Sequence, residues 1–131
     1  MSVLIIGDQE RSRELIKQNL LRMGCEKFDF AASVIEAEEK MAAKAYDMVF
    51  VDWIMPGKSG YALLQEYRAD RAYDHVAFIM VTNIAGEREM LVAMKAGATS
   101  YVVKPTMPTE FEPKIRSALE WMTKVNPRFS D

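Results

Sequence analysis

The stretch Val51–Gly60, VDWIMPGKSG, joins the end of an apolar run to a break in regular structure. The run at 48–51 is short and wholly apolar, as expected of a strand buried on both faces of a parallel sheet. It ends in a carboxylate, Asp52, and the pair Pro56-Gly57 interrupts the chain soon afterwards. Because burying an unpaired charge is costly, an acid here predicts a strand tip that opens on a crevice and not on the core.

The same alternation of apolar runs and helical stripes continues along the chain. The five predicted strands are Val3–Ile6, Lys27–Ala31, Met48–Val51, Val76–Val81 and Tyr101–Val103. Amphipathic stripes predict helices over 11–23, 34–45, 60–69 and 87–96, and a last helix marked by Phe111, Ile115, Leu119 and Met122. Gly24 and Gly97 are natural helix ends, because glycine accepts the left-handed conformation. Strands that alternate with single helices predict a parallel sheet covered on both faces.

The composition of the chain argues against several classes of protein. The 131 residues suit one domain, and half of them are apolar, which is enough for a sizeable core. The 17 basic and 19 acidic residues give a net charge of −2, which argues against a dedicated nucleic-acid-binding protein. One cysteine, Cys25, cannot form a disulfide within the chain, and no run approaches the roughly 18 apolar residues of a membrane span. We therefore expect a cytoplasmic protein without a nucleic-acid or membrane partner.

A polar or charged residue stands at the end of four of the five strands. Asp8 follows the first strand, Asp52 ends the third, Thr82 ends the fourth and Lys104 ends the fifth. The carboxyl ends of parallel strands meet at one edge of the sheet, where ligands bind beside the topological switch point. Taken singly, each residue is as well explained by a turn, a helix cap or a solvated surface position. Taken together, the four predict a ligand site.

The residue types in this set point to phosphoryl chemistry. A carboxylate such as Asp52 is a competent nucleophile toward phosphorus and can form an aspartyl phosphate. The incoming group is a dianion, so its charge must be neutralised, and Mg²⁺ held by Asp8 and Asp52 can do this. Lys104 can neutralise a second phosphoryl oxygen, and the Thr82 hydroxyl can donate to a third.

The chain resembles the response-regulator receiver domains, and among them the single-domain chemotaxis regulators. The segments that carry the resemblance are VLIIGDQERSR, VDWIMPGKSG, RAD at 68–70, FIMVTN and AGATSYVVKP. They extend over nearly the whole chain, in matching order and spacing. The resemblance implies a flavodoxin-like (βα)5 doubly wound α/β fold, with five parallel strands in the order 2-1-3-4-5. A single receiver domain would cover 1–125, with a short tail at 126–131.

By position, the resemblance implies a role for each matching residue. Asp52 would be the phosphoacceptor, and Asp8, Asp52 and the backbone carbonyl of Ile54 would bind Mg²⁺. Thr82 and Lys104 would contact the phosphoryl group, and Tyr101 would turn inward as Thr82 moves toward it. A histidine kinase or histidine phosphotransfer protein would supply the phosphoryl group. The face of the fourth helix, fifth strand and last helix would bind a target protein, and the protein would be a monomer or weak dimer.

Three residues near the site depart from the family pattern. Receivers usually carry two adjacent acids after the first strand, and Gly7 replaces one of them. Loss of a group that acts through water typically weakens a metal site about 10- to 100-fold, so we expect weakened but retained Mg²⁺ binding. Ile54 and Ile84 stand two places after the phosphoacceptor and the threonine, where family members flank the hydrolytic water. Neither can orient a water, so we expect a long-lived phosphoryl state.

The last helix is unusual as well. Thr109 and Glu112 match a capping box, whereas Pro108 suits a first turn. With the second start, Pro113 would lie inside the helix and would kink it or delay its beginning. Thr106 follows the Lys-Pro pair, where many relatives have phenylalanine. These departures make the shape of the output face hard to predict.

Three functions are consistent with the sequence. The first is a signalling switch that catalyses only its own phosphorylation and slow dephosphorylation, and so is not a classical enzyme. The second is a phosphorylation-independent pseudo-receiver that binds protein partners, which the loss of an acid at Gly7 favours. The third, a phosphohydrolase, is disfavoured because Ile54 stands where a general acid would be needed.

The flagellar motor switch, a phosphate sink and a non-motile stress pathway all fit the first function, the signalling switch. No output domain follows Val125, so the effect would pass through protein contacts unless the chain is part of a larger regulator.

Overall fold

The computed structural model describes residues 1–126 and Phe129. The strands are β1 (Ser2–Ile6), β2 (Lys27–Ala31), β3 (Met48–Asp52), β4 (Ala77–Thr82) and β5 (Ser100–Val103). The helices are α1 (Glu10–Arg22), α2 (Val34–Ala43), α3 (Gly60–Arg68), α4 (Glu87–Lys95) and α5 (Pro108–Val125), and a 3₁₀ turn covers Arg71–Tyr73. The predicted tail at 126–131 lies mostly outside the described residues.

The five strands form one parallel sheet in the predicted order, β2-β1-β3-β4-β5. Every residue of the central strands β3 and β4 is buried, which explains their continuous apolar sequence. In the edge strand β2, all residues but Ala31 are at least partly exposed. This exposure explains why β2 alternates in polarity and gave the weakest strand signal.

Helices cover both faces of the sheet, and each face has its own apolar layer. On one face, α2, α3 and α4 pack against the sheet around residues such as Leu63 and Phe78. On the other face, α1 and α5 pack around Leu20, Phe50 and Phe111. The rings of Phe50 and Phe111 stack with their centroids 5.8 Å apart, which fixes α5 over the centre of the sheet. None of the helices in the described part of the chain is long and apolar enough to cross a bilayer.

The predicted helix ends at two glycines are confirmed, and of the two starts left open for the last helix the structure has the one at Pro108. Gly24 and Gly97 have φ of +90° and +108°, so each ends its helix in the left-handed region. Helix α5 begins at Pro108 with Met107 as N-cap, and that cap makes no side-chain hydrogen bond, so Thr109 is not a capping residue.

Pro113 lies within α5 and does not delay its beginning. The missing N–H of Pro113 leaves the carbonyl of Thr109 without its helical donor. The flanking residues Phe111 and Ile115 are fully buried, and their burial offsets the loss of one hydrogen bond.

Candidate functional site

The carboxyl ends of β1, β3, β4 and β5 surround a cavity of about 450 Å³. The four residues singled out at the strand ends, Asp8, Asp52, Thr82 and Lys104, all line this cavity. Ile54 lines it as well. The parallel topology thus brings together groups that are up to 96 positions apart in the chain, from Asp8 to Lys104.

Asp52 is the last residue of β3 and is only 8% exposed. Its Oδ2 lies 2.5 Å from Nζ of Lys104, which donates a hydrogen bond to it. A buried carboxylate is tolerated when a charged partner compensates its loss of hydration. The Lys104 ammonium therefore explains how an acid can end a wholly buried strand.

The loop after Asp52 folds back tightly onto β3. The N–H of Gly60 donates to the carbonyl of Trp53 at 3.0 Å. A Cβ at Gly60 would lie 2.1 Å from the carbonyl oxygen of Asp52 and 2.7 Å from Cγ2 of Val51. Only glycine permits this close approach, which holds α3 against the strand that carries the acid.

Gly7 directly follows β1, at a position where the family usually has an acid, and no neighbouring atom crowds it. Its N–H donates to the carbonyl of Ala31 at 2.9 Å, and its carbonyl accepts from the guanidinium of Arg13 at 2.5 Å. A Cβ at position 7 would lie 3.8 Å from Cγ of Arg13 and 4.0 Å from Cβ of Asp52, which are ordinary contacts. Packing therefore does not require glycine here.

The donor groups around the cavity fit a magnesium ion with few protein ligands. Within the described residues, no three His, Cys, Asp or Glu side chains converge on one point. Two carboxylates, Asp8 and Asp52, line the same cavity together with Ile54. Mg²⁺ commonly takes one or two carboxylates and leaves its other positions to water and phosphate oxygens. The set is sufficient for such an ion, with one acid fewer than the family pattern.

Thr82 and Tyr101 are linked through the loop that follows β4. The Oγ1 of Thr82 accepts the N–H of Ile84 at 3.1 Å, and the hydroxyl of Tyr101 donates to the carbonyl of Ile84 at 2.7 Å. Tyr101 is buried, and burial raises its pKa, with the Glu89 carboxylate acting in the same direction and a contact with the Thr82 hydroxyl acting against both. The phenol therefore remains a protonated donor over the physiological range.

Ile54 and Ile84, which were both expected to flank the hydrolytic water, do not occupy equivalent positions in the structure. Ile54 borders the cavity and is 66% exposed. Ile84 is half-buried, and it is not among the residues that line the cavity. Of the two, Ile54 is therefore the better placed to affect water near Asp52.

Sequence reasoning missed several residues around the site. Trp53 stacks on Tyr61 with centroids 5.1 Å apart and meets Tyr101 edge-on at 6.4 Å. Gln9 and Asn83 also line the cavity. Each of the two directly follows a residue that was singled out, so their position next to Asp8 and Thr82 was the available signal.

Comparison with known proteins places the chain among a large set of relatives. The family model described as the response regulator receiver domain matches residues 3–116. Chemotaxis protein CheY1 of Helicobacter pylori (strain J99) is 36% identical over 120 residues, which is 91% of this chain and 97% of that protein. The CheY homolog of Campylobacter jejuni subsp. jejuni (strain 81-176) is 32% identical over 120 residues, covering 91% and 92%. The solved CheY-like receiver domain protein of Methanospirillum hungatei JF-1 has a TM-score of 0.80 and 27% identity, covering 94% of this chain and 96% of that one.

Proposed function

Since this chain belongs to the family of response regulator receiver domains, we propose that it accepts a phosphoryl group on Asp52 and acts as a switch in two-component signalling. The observation that carries the proposal is the ion pair between Asp52 and Lys104 in a cavity shared with Asp8 and Thr82. This arrangement offers a nucleophile, a cation and a hydroxyl donor within one space. A structural ion pair alone would not need the other two groups or the cavity.

The proposed reaction is a transfer of the phosphoryl group from a donor histidine to Asp52. One carboxylate oxygen of Asp52 forms a bond to phosphorus, and the P–N bond to the histidine breaks as the imidazole leaves with the electron pair. Lys104, which now pairs with Oδ2 of Asp52, would neutralise a phosphoryl oxygen. Mg²⁺ held by Asp8, Asp52 and the carbonyl of Ile54 would supply positive charge that reduces the repulsion between carboxylate and phosphate.

The same transfer gives a route to a conformational change. The Thr82 hydroxyl and the Tyr101 hydroxyl both bond to the backbone of Ile84, and a turn of Thr82 toward a phosphoryl oxygen would release its bond to that residue. Tyr101 lies on β5, whose carbonyl at the same residue accepts from Lys114 of α5 at 2.5 Å. A movement of Tyr101 would thus reach both the loop before α4 and the side of α5. This coupling supports an output face formed by α4, β5 and α5.

The partners we propose are a histidine kinase or histidine phosphotransfer protein upstream and a target protein downstream, in the cytoplasm. The names of the relatives from Helicobacter pylori and Campylobacter jejuni support a role in chemotaxis. A flagellar motor switch is therefore the first target to test. The proposed oligomeric state is a monomer or weak dimer.

A pseudo-receiver that binds partners without phosphorylation is the second candidate, because Gly7 removes one acid from the site. Intact mass spectrometry in saturating Mg²⁺ with a small phosphodonor separates the two. The switch predicts that the wild type gains one phosphoryl mass and that Asp52→Asn, which keeps the shape but not the nucleophile, gains none. A wild type that gains no mass would favour the pseudo-receiver.

A further inference from the structure

A groove of about 530 Å³ lies between α3 and α4. Tyr61, Gln65 and Ala69 line it on the side of α3, and Val92 and Ala96 line it on the side of α4. On each side these residues recur every four positions, as neighbours on one face of a helix do. The groove therefore has two ridged walls, and ridged walls of this kind are the surface against which a further helix packs.

The exposed side of α4 extends the apolar part of this groove. Leu91 and Val92 are 49% and 38% exposed, and both line a neighbouring hollow of about 390 Å³. Val92 belongs to the groove and to the hollow, so the two spaces adjoin. Apolar side chains exposed singly are ordinary, whereas a continuous apolar patch is typical of a protein interaction site.

Positive charge flanks the apolar residues of α4. Arg88 and Lys95 both line the hollow, and neither forms an ion pair among the described residues. They are seven residues apart, which is two helical turns or roughly 10 Å. Glu87 lines the hollow as well, and the two cations outnumber it. The matching surface is therefore a helix with apolar residues at its centre and acids two turns apart.

The groove uses only one side of α4. Successive residues of a helix are turned by about 100°, so Met94 lies about 200° around α4 from Val92. Met94 is 42% exposed. A partner bound between α3 and α4 would therefore leave the side of α4 that carries Met94 free for a second contact.

Tyr61 connects the groove to the surroundings of Asp52. Its ring stacks on Trp53 with the centroids 5.1 Å apart and the planes 12° from parallel. Trp53 directly follows Asp52 in the chain. A partner that contacts Tyr61 would therefore change the environment of the Trp53 indole, which supplies a local reporter of binding.

We propose that the groove between α3 and α4 binds an amphipathic helix of a partner protein, whose acidic residues pair with Arg88 and Lys95. Burial of Leu91 and Val92 would supply affinity, and the two cations would fix the register of the bound helix. Docking does not require phosphorylation of Asp52, because the groove and its charges are present in the unmodified protein. The chain would thus hold one partner here while its switch acts on another.

The test titrates the unphosphorylated, isotope-labelled full chain with a helical peptide of about 18 residues. The peptide carries leucines along one face and a pair of glutamates two turns apart. It should bind saturably and shift the amide resonances of the groove residues and the indole resonance of Trp53. A matched peptide with lysines in place of the glutamates should bind roughly tenfold more weakly. Equal affinities for the two peptides, shifts only at other surfaces, or no saturable binding would overturn the proposal.

Reversal of one charge tests the ion pairs. Lys95→Glu should weaken binding of the glutamate peptide roughly tenfold and strengthen binding of the lysine peptide. Lys27→Glu is the matched control, because it makes the same change at an exposed position of the edge strand β2, and it should leave both affinities within about twofold of wild type. Equal effects of the two variants would show that the overall charge, and not the groove, determines binding.

A pair of glutamine variants tests which side of α4 binds the peptide. Val92 and Met94 are both exposed, so both variants should fold. Val92→Gln should weaken binding of both peptides severalfold, and Met94→Gln should leave both affinities unchanged. A loss from Met94→Gln as large as that from Val92→Gln would place the peptide on the other side of α4 and would contradict docking in the groove.

Discussion

Asp52 ends a strand in which every residue is buried, and one of its oxygens is held by Lys104 at 2.5 Å. Asp8, by contrast, is exposed at the rim of the same cavity. The two carboxylates therefore differ in environment, although both follow apolar strands. The buried acid with a fixed cation suits a nucleophile, and the hydrated acid suits a metal ligand that exchanges water.

The residue at position 7 offers the sharpest test of the metal site. Gly7→Asp should raise Mg²⁺ affinity about 10- to 100-fold, because it restores a carboxylate that can act through water. The new Cβ meets nothing closer than 3.8 Å, so the variant should fold. Affinity can be followed by titrating Mg²⁺ against the fluorescence of Trp53, which directly follows Asp52.

Gly7→Asn is the matched control, because it adds a side chain of nearly the same size without the charge. Its Mg²⁺ affinity should remain close to that of the wild type. Equal affinities for the aspartate and asparagine variants would show that charge at this position does not limit binding.

Ile54 should also determine how long the phosphoryl group remains on Asp52. Ile54→Asn should shorten the half-life of phosphorylated Asp52 on the order of tenfold, since an amide can orient a water that isoleucine excludes. This effect is smaller than the 10²- to 10⁴-fold of full general acid–base catalysis. The rate is read from the decay of the phosphoryl mass after the donor is removed.

Ile84→Glu supplies the comparison, because Ile84 does not line the cavity. Its effect on the half-life should be smaller than that of Ile54→Asn. If phosphorylated Asp52 lasts as long in the double variant as in the wild type, neither isoleucine controls its hydrolysis.

At the scale of elements, the connection from β3 to α3 does most to shape the site. The side chain of Ser59 caps α3 by accepting the N–H of Ala62 at 3.1 Å. Gly60 then packs against the backbone of Asp52. The cap and the close approach together place Ile54 and Met55 at the mouth of the cavity.

Gly60→Ala should lower the free energy of unfolding by about 1 to 3 kcal/mol, because the added methyl overlaps backbone that cannot move without disturbing β3. Urea denaturation measures the loss. Gly7→Ala adds the same methyl where the nearest atom is 3.8 Å away, and it should cost much less or stabilise slightly. Similar losses for both variants would contradict the close packing at Gly60.

The edge strand β2 is joined by polar contacts to the segment between α2 and β3. The Tyr46 hydroxyl donates to Oδ2 of Asp29 at 2.6 Å, and Lys44 pairs with the same oxygen at 3.1 Å. The hydrogen bond from Tyr46 is the main cause of the lowered pKa of Asp29. A lowered pKa in the folded state means that this contact stabilises the protein when the carboxylate is charged.

Tyr46→Phe should therefore destabilise the protein by about 1 kcal/mol near neutral pH, a value reduced because the pair is partly exposed. The stabilisation is present above the unfolded-state pKa of about 3.9 and is lost as the pH falls through the lower folded-state value. The difference in unfolding free energy from wild type should shrink accordingly on acidification. Tyr61→Phe is the control, since among the described residues the Tyr61 hydroxyl accepts a hydrogen bond from Gln65 and pairs with no carboxylate. A difference that is constant with pH would contradict the role of Asp29.

For the molecule as a whole, the two ends of the sheet differ. At the amino ends of the later strands, Arg68 donates to the carbonyls of Gly97, Tyr73 and Val76 at 2.7 to 2.8 Å. Its guanidinium also lies 5.6 Å from the ring centroid of Trp121 in α5. Burial lowers the pKa of Arg68 without making it titrate in the physiological range. Arg68 thus forms a clamp that joins three loop segments at this end, whereas the carboxyl ends of the strands surround the cavity at Asp52.

Local patterns in the sequence predicted much of this arrangement. The continuous apolar runs identified the buried strands, and residues at the strand ends identified the groups that meet at the cavity, because parallel topology carries them to one edge. The clamp at Arg68 could not be predicted in this way. It depends on contacts between segments distant in the chain, which no local period records. The sequence left two starts open for α5 because of Pro113, and the burial of Phe111 and Ile115 accounts for a helix that begins at Pro108 and contains that proline.

The central claim is that the Asp52 carboxylate itself receives the phosphoryl group, and borohydride trapping tests it most directly. Borohydride reduces an aspartyl phosphate to homoserine, and peptide mass spectrometry then locates the altered residue. After treatment with a phosphodonor in Mg²⁺, homoserine should appear at position 52 and should be absent when the metal is chelated. Homoserine at Asp8 or at any other carboxylate, or at none, would contradict the account.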